Sequence, residues 1–426
     1  MIRRIAAAAA LFLSAGLCFA ELYPESRYGE VSVDVTGVAN ENVLTAQEVF
    51  VKDLVIDLTK LADSMDDSGM IVNAGADAGF SLKANFGKKF GAGLFFDVDA
   101  SARMGISKDF FDLLGNGNEI GEDIVTAVNV GMEMYMEVGT PIKFKIGKLG
   151  IKVVPSYFIP LVYMPNPDAT ITVSTDSSGN MKAVGTADFA IYSAVDMGML
   201  FDTNFNFLGT EALLANLSDN SNILDIFRLG GTDLNAEVEY PVFRSLDVGV
   251  YTRVPVVPGR LSHVTTGTAT YSATMSPVLN YLADSSSGLY STDGPNFAGV
   301  SFGDDTYLVN RPFKLGVEGA WRPFGKWCTF RPLIGFGARN PFGEDFSWKT
   351  SVYPEYNLGV DMRFFYVLGL NFATSYYNEV FAQKAGLVLN MRVLELDVAV
   401  ASTSSSFIKS WQLSGLQAVV SVKLGF

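Results

Sequence analysis

A period of two runs through most of this chain, and no other feature of the sequence restricts its fold as tightly. Phe96, Val98, Ala100, Ala102 and Met104 share one face of an extended segment, and Asp97, Asp99, Ser101 and Arg103 share the other. Val128, Val130, Met132, Met134, Met136 and Val138 oppose Asn129, Glu133, Tyr135 and Glu137. Ala187, Phe189, Ile191, Val195, Met197 and Met199 oppose Thr186, Asp188, Tyr192 and Asp196. Phe313, Leu315, Val317 and Trp321 oppose Lys314, Glu318 and Arg322, while Tyr356, Leu358, Val360, Met362 and Phe364 oppose Glu355, Asn357, Asp361 and Arg363. Leu394, Leu396, Val398 and Val400 oppose Glu395 and Asp397. Only a strand sends successive side chains to opposite faces in this way.

A soluble sandwich alternates too, but its strands average about five to six residues, and the apolar faces here are longer and almost unbroken. In hydrocarbon every backbone N–H and C=O must be paired within the protein, so only helices and closed barrels span. No stretch beyond residue 20 offers the roughly 18 apolar residues of a spanning helix. The expected fold is therefore all-β: a closed antiparallel transmembrane barrel of about fourteen strands, within a range of about twelve to sixteen. A charge facing lipid at mid-depth costs about 2–4 kcal/mol for Lys or Arg, so the polar series must face inward. The expected lumen-lining residues are Asp97, Asp99, Arg103, Glu133, Asp188, Asp196, Lys314, Glu318, Arg322, Glu355, Asp361, Arg363 and Glu395. A barrel of this width is not filled by side chains alone, so a hydrated or plugged lumen is expected.

The domain plan is a signal peptide, residues 1–20, followed by one barrel domain, 21–426. Arg3 and Arg4 precede an apolar run that ends at Leu17, with small residues before Glu21, as in a cleavable export signal. Cys18 offers a lipid-anchor alternative, against which bulky Leu17 stands. With Cys18 removed, Cys328 has no disulfide partner in the chain. The net charge of -14, or -16 without the two leader arginines, argues against nucleic acid as a partner.

The end of the chain, residues 415–426, sets Leu416, Ala418, Val420, Val422, Leu424 and Phe426 against Gln417, Ser421 and Lys423. This resembles the terminal strand of bacterial outer-membrane barrel proteins. The resemblance implies an outer-membrane location and recognition of Val420, Val422, Leu424 and Phe426 by the barrel-assembly machinery.

Three segments break the period. Residues 48–65 place Phe50, Leu54, Leu58 and Leu61 at helical spacing. Residues 108–114 follow Ser107, a candidate N-cap, and stop at Gly115; residues 222–229 follow Ser221 and end at Gly230-Gly231. These helical insertions belong in loops or in the lumen, where Phe110, Phe111, Leu113, Ile223, Ile226 and Phe227 are candidate gate residues. Together with the chain's size they make it loosely similar to long-chain fatty-acid transporters, although that family's N-terminal signature is absent. Short turns are expected at Gly87-Lys88-Lys89, Gly147-Lys148 and Pro323–Lys326, with surface loops at 177–180, 284–295 and 339–349. Phe144, Tyr157, Phe158, Tyr163, Trp321, Trp327, Trp348, Tyr353, Tyr366, Tyr376, Tyr377 and Trp411 are candidates for interfacial girdles.

Catalysis has little to stand on. His263, beside Ser262, is the single histidine, and no cofactor or His/Cys metal cluster is indicated. An oxygen-only calcium site would need loop acids such as Asp304-Asp305. The leading expectation is a passive channel or transporter for a small solute, hydrophilic or hydrophobic, seated in outer-membrane lipid. The rivals are a surface-exposed structural or adhesion barrel and, more remotely, an outer-membrane hydrolase.

Overall fold

The computed structural model describes residues 27–43, 58–63, 65, 69–87, 89–116, 121–165, 167–209, 220–275, 290–341, 343, 346–365, 367–377, 380–391 and 393–425. The expected leader, Phe426, residues 284–289 of the expected loop and most of the first helical segment lie outside them. Residues 290–295, expected in that loop, belong to a strand.

Nineteen strands form one sheet. β1 (Gly29–Glu41), β2 (Met70–Phe86), β3 (Phe90–Ile106) and β4 (Ile124–Gly139) run up and down as antiparallel neighbours. From β4 onward several wall positions are split into collinear pieces. β3 pairs first with β4 and then with β5 (Ile142–Ile146). β4 pairs with both β6 (Leu149–Met164) and β7 (Asp168–Thr175). β8 (Met181–Ser193) and β9 (Gly231–Phe243) both flank β6. On their far side stand β11 (Gly259–Met275) and β10 (Leu246–Val257). β12 (Tyr290–Val309) pairs with β11, and β13 (Phe313–Trp321) with β10.

The remaining strands are unbroken: β14 (Cys328–Ala338), β15 (Val352–Phe364), β16 (Leu368–Tyr377), β17 (Val380–Asn390), β18 (Leu394–Ser404) and β19 (Gly415–Gly425). β19 then pairs with β1, from Glu30↔Gly425 to Ala39↔Leu416, and the sheet closes on itself.

The nineteen segments exceed the expected fourteen or so strands because five wall positions are broken, and proline accounts for four of the breaks. Pro141, Pro165 with Pro167, Pro258 and Pro312 sit in four of the breaks. Each removes a ladder donor and fixes φ, so a strand ends and a new one resumes on the same line. The fifth break, between β8 and β9, holds a longer insertion.

The parity of exposure follows the expected alternation on most strands; β8 departs from it, with Phe189 and Ile191, expected outward, buried and Asp188, expected inward, exposed. Val33, Phe80, Phe96, Leu315, Leu358, Val398 and Val422 are all more than a third exposed, on the outer face. Ser32, Thr36, Glu355, Asn371, Lys384, Asp397 and Ser421 on the opposite face are buried. An apolar exterior of this extent needs a bilayer, not water, around it. No helix among the described residues is long and apolar enough to cross a membrane.

The helices are short. α1 (Leu58–Asp63) and α2 (Lys108–Asn116) pack Ala62, Met65 and Phe111 against Val43, with Met70, Ile106 and Phe110 around them. Ser107 does not cap α2: its hydroxyl is buried without a partner. α3 (Asn220–Arg228) begins at Asn220, so Ser221 lies within it and is not its cap. The tip at 177–180 is a hairpin, in which Asp176 accepts from the backbone of Ser178 at 2.8 Å and of Asn180 at 2.9 Å. Those bonds and the Asn180 side-chain amide hold the Asp176 carboxyl below its ordinary value.

Candidate functional site: an arginine reaching across the interior

Opposed residues on β3 and β4 begin the site. Asp97 faces Glu137, Asp99 faces Tyr135 and Ser101 faces Glu133 across the ladder. Asp77 on β2 stands directly opposite Asp99. Like charges placed in this way repel, so this sector draws in a cation. The cation is Arg311, from the Asn310-Arg311-Pro312 break between β12 and β13. Pro312 keeps the residue before it extended and outside the ladder, which frees the side chain to leave the wall.

Arg311 pairs with Glu137 on β4 and lies 3.2 Å from Asp233 on β9. Its guanidinium sits 4.9 Å from the ring centroid of Phe158 and 5.5 Å from that of Tyr135, both within cation–π range. Arg253 on β10 closes the group, 2.6 Å from the same Asp233 oxygen and 3.7 Å from Glu137. The Asp233 side chain is fully buried, so two arginines balance two carboxylates away from water, the arrangement in which pairing matters most. Phe158 is seated where glycine permits. A Cβ on Gly231 would lie 2.4 Å from the Val257 carbonyl and 2.6 Å from the Phe158 ring.

Against this node lies an aromatic layer. Tyr163 stacks on Tyr307 at 5.0 Å, and Tyr192 lies 4.5 Å from Tyr307. Ala194, Leu261 and Val309 form the buried centre of the cluster, and Tyr135, Leu161, Ile226 and Leu229 pack around it. Ile226 belongs to α3, so the insertion between β8 and β9 brings apolar side chains to the tyrosines. At the same break Ala194 N–H donates to the Leu161 carbonyl (2.9 Å), and Arg260 N–H to the Leu229 carbonyl (2.7 Å). Tyr157 donates its hydroxyl to the Phe227 carbonyl.

The expected interior residues fall into groups. Glu133 accepts from Ser101 (3.1 Å) and from the Tyr135 hydroxyl (2.9 Å). Asp97 and Asp99 lie within electrostatic reach of Arg311. Lys314 pairs with buried Glu355 at 2.7 Å, Arg322 with Asp247 at 2.6 Å, and Asp361 with Arg331 at 2.5 Å. Glu395 meets Lys423 at 3.1 Å and Arg27 at 3.5 Å. Glu318 and Glu237 share a side-chain hydrogen bond across β10. Arg103 and Arg363 share the polar parity of their strands. Asp188 accepts from Thr268 at 2.6 Å in an exposed position. Asp196 is misplaced by the alternation: β8 ends at Ser193, and Asp196 instead caps the short 3-10 turn Met197–Met199.

Of the candidate gate residues, Phe110 and Phe111 pack with Ala62 of α1 and with Val43, Met70 and Ile106, and Leu113 is buried. Ile226 joins the tyrosine cluster and Phe227 is half exposed, whereas the Ile223 side chain lies outside the described residues. Three girdle candidates are corrected: Phe158 is fully buried, Tyr163 packs in the tyrosine cluster, and Tyr353 is buried under Arg339. His263 lies 2.9 Å from Asp304, with Ser262 on the other face of β11. Among the described residues no group of His, Cys, Asp or Glu is arranged to hold a metal ion.

Arg311, Asp233 and Arg253 were not among the expected site residues. The one signal for Arg311 in the sequence is an arginine wedged before a proline between two strand-like runs.

No family model and no curated protein matches the sequence. Among solved structures the chain is similar to the Pseudomonas putida toluene transporter TodX, with a TM-score of 0.46 and 9% identity over 98% of this chain and 97% of that one. It is similar to the Ralstonia pickettii toluene transporter TbuX, with a TM-score of 0.44 and 8% identity over 94% and 90%. It is also similar to a Pseudomonas aeruginosa FadL homologue, with a TM-score of 0.42 and 8% identity over 93% and 90%.

Proposed function

We propose that the chain is a passive channel of the bacterial outer membrane whose path is the barrel interior, held narrow by Arg311. The observation that carries the reading is the reach of Arg311 from the β12–β13 break to Glu137 and Asp233 on other wall positions, beside stacked tyrosines. A wall needs only neighbour-to-neighbour pairs, such as Lys423–Glu395, to satisfy its charges. A side chain that crosses to distant strands sets the width of the opening instead. The aromatic layer favours small apolar or amphipathic solutes, which gain from ring contact; hydrophilic solutes are the alternative. Export by the leader and insertion through the assembly machinery, read by Val420, Val422, Leu424 and Phe426, complete the proposal.

The test is single-channel recording of the folded barrel in planar bilayers. The wild type should give small, resolvable steps, and Arg311→Ala should enlarge them several-fold. A wild type and a variant that both remain silent would remove the transport reading. In its place would stand a surface-exposed barrel, favoured by one observation: β7, β8, β11 and β12 continue the wall beyond the level where β10 and β13 pair.

A further inference from the structure

The turns at the end of the barrel that holds Glu30 and Gly425 differ in kind from the connections at the other end. Residues 87–89, 147–148, 244–245, 322–327, 365–367 and 391–393 contain no Asp or Glu. They do contain Lys88, Lys89, Lys148, Arg244, Lys326 and Arg392. At the far end, residues 107–123 alone hold Asp109, Asp112, Glu119, Glu122 and Asp123 against Lys108. In a chain of net charge -14, such segregation gives one end a basic rim.

That rim is also aromatic. Phe86 and Phe90 lie 5.7 Å apart beside Lys89 with their rings tilted, and Phe324 and Trp327 lie 5.9 Å apart on either side of Lys326. Phe365 is 92% exposed and Ile146, next to Lys145, is 64% exposed. Lys89, Lys145, Lys148 and Lys326 are exposed, and none of them makes a salt bridge among the described residues.

We propose that this rim binds anionic phospholipid in the leaflet it meets. The exposed lysines pair with headgroup phosphates, and the rings beside them rest at the acyl boundary. An acidic protein or wall polymer would use the lysines but has no use for apolar rings laid along the outer wall. The proposal rests on the membrane-barrel reading and goes beyond it.

The full chain would be folded into phosphatidylcholine vesicles containing a minority of phosphatidylglycerol, then re-extracted gently, and its retained phospholipid measured by mass spectrometry. The wild type should hold phosphatidylglycerol at about fivefold its bulk ratio in low salt. The combined Lys89→Gln, Lys148→Gln and Lys326→Gln variant should fall to the bulk ratio with its conductance unchanged. A wild type that inserts and conducts without enrichment overturns the proposal alone, as does a variant that keeps the enrichment. Sedimentation with purified peptidoglycan, lost in the variant while lipid ratios stay flat, assigns the rim to the wall polymer and overturns it too. A wild type that does not insert overturns the barrel reading, and this inference with it.

Discussion

The two sides of the wall satisfy their interior charges differently. From β13 round to β1 the strands have no further break, and charged residues pair on adjacent strands, Arg331 with Asp361 and Lys423 with Glu395, or one strand further on, Lys314 with Glu355 across β14. From β4 to β12 prolines cut the strands, and Arg311 passes over its neighbours to reach Glu137 and Asp233. The first side is a ladder in which each rung can be removed with local effect. The second is a knot, tied where the ladder is interrupted, and the interruptions are what allow it.

The harshest challenge to that contrast is Gly231→Val. Its new side chain would press on the Val257 carbonyl and on Phe158, and overpacking of this kind costs about 1–3 kcal/mol or more. The expected result is loss of the compact, heat-modifiable band on a cold gel; a normal band would mean the broken side tolerates slack. Next comes Arg311→Ala, which leaves Asp233 and Glu137 buried without it and should cost about 3–5 kcal/mol in urea unfolding. Lys314→Ala serves as its counterpart on the ladder side and strands buried Glu355. A loss of about 2 kcal/mol is expected, with conductance steps like those of the wild type. Should both variants widen the channel equally, the distinction between ladder and knot fails.

These expectations also measure what the amino-acid order discloses. Asp97, Asp99, Glu133, Glu355 and Glu395 each belong to a long run of unbroken alternation, where parity alone assigns a residue to one face of its strand. Phe158 and Tyr163 were not legible in this way, because the ladder between β4 and β6 slips by one residue at Met134/Tyr135. A slip of one residue exchanges inside for outside for everything beyond it. Asp196 failed for a similar reason: the pattern runs on past Ser193, but the strand does not. Arg311 has no period at all, sitting in a three-residue coil, and its partners are set by topology that no local window contains.

The smallest effect lies at the hairpin tip. The Asp176 carboxyl is held below its ordinary value by hydrogen bonds from Asn180, Ser178 and Gly179. A lowered value in the folded state means the contribution is present above the ordinary carboxylate range and is lost as the pH falls through the folded value. Amide exchange at Ser178 and Asn180 should therefore quicken in acid. Asp176→Ala should show the quick rate at neutral pH, with the rest of the barrel unmoved. Equal rates in both proteins at neutral pH would deny Asp176 its role in ordering the tip.

The seam between β1 and β19 imposes an order in time. β1 has β2 on one edge at once but gains β19 on the other only after the rest of the wall has been made, nearly four hundred residues on by the Glu30↔Gly425 pairing. Throughout that delay one edge of β1 carries a row of unmatched amides and carbonyls, the template on which stray chains aggregate. Any cell that makes this protein must therefore chaperone a half-built cylinder, and the rate at which the tail arrives governs how long that hazard lasts.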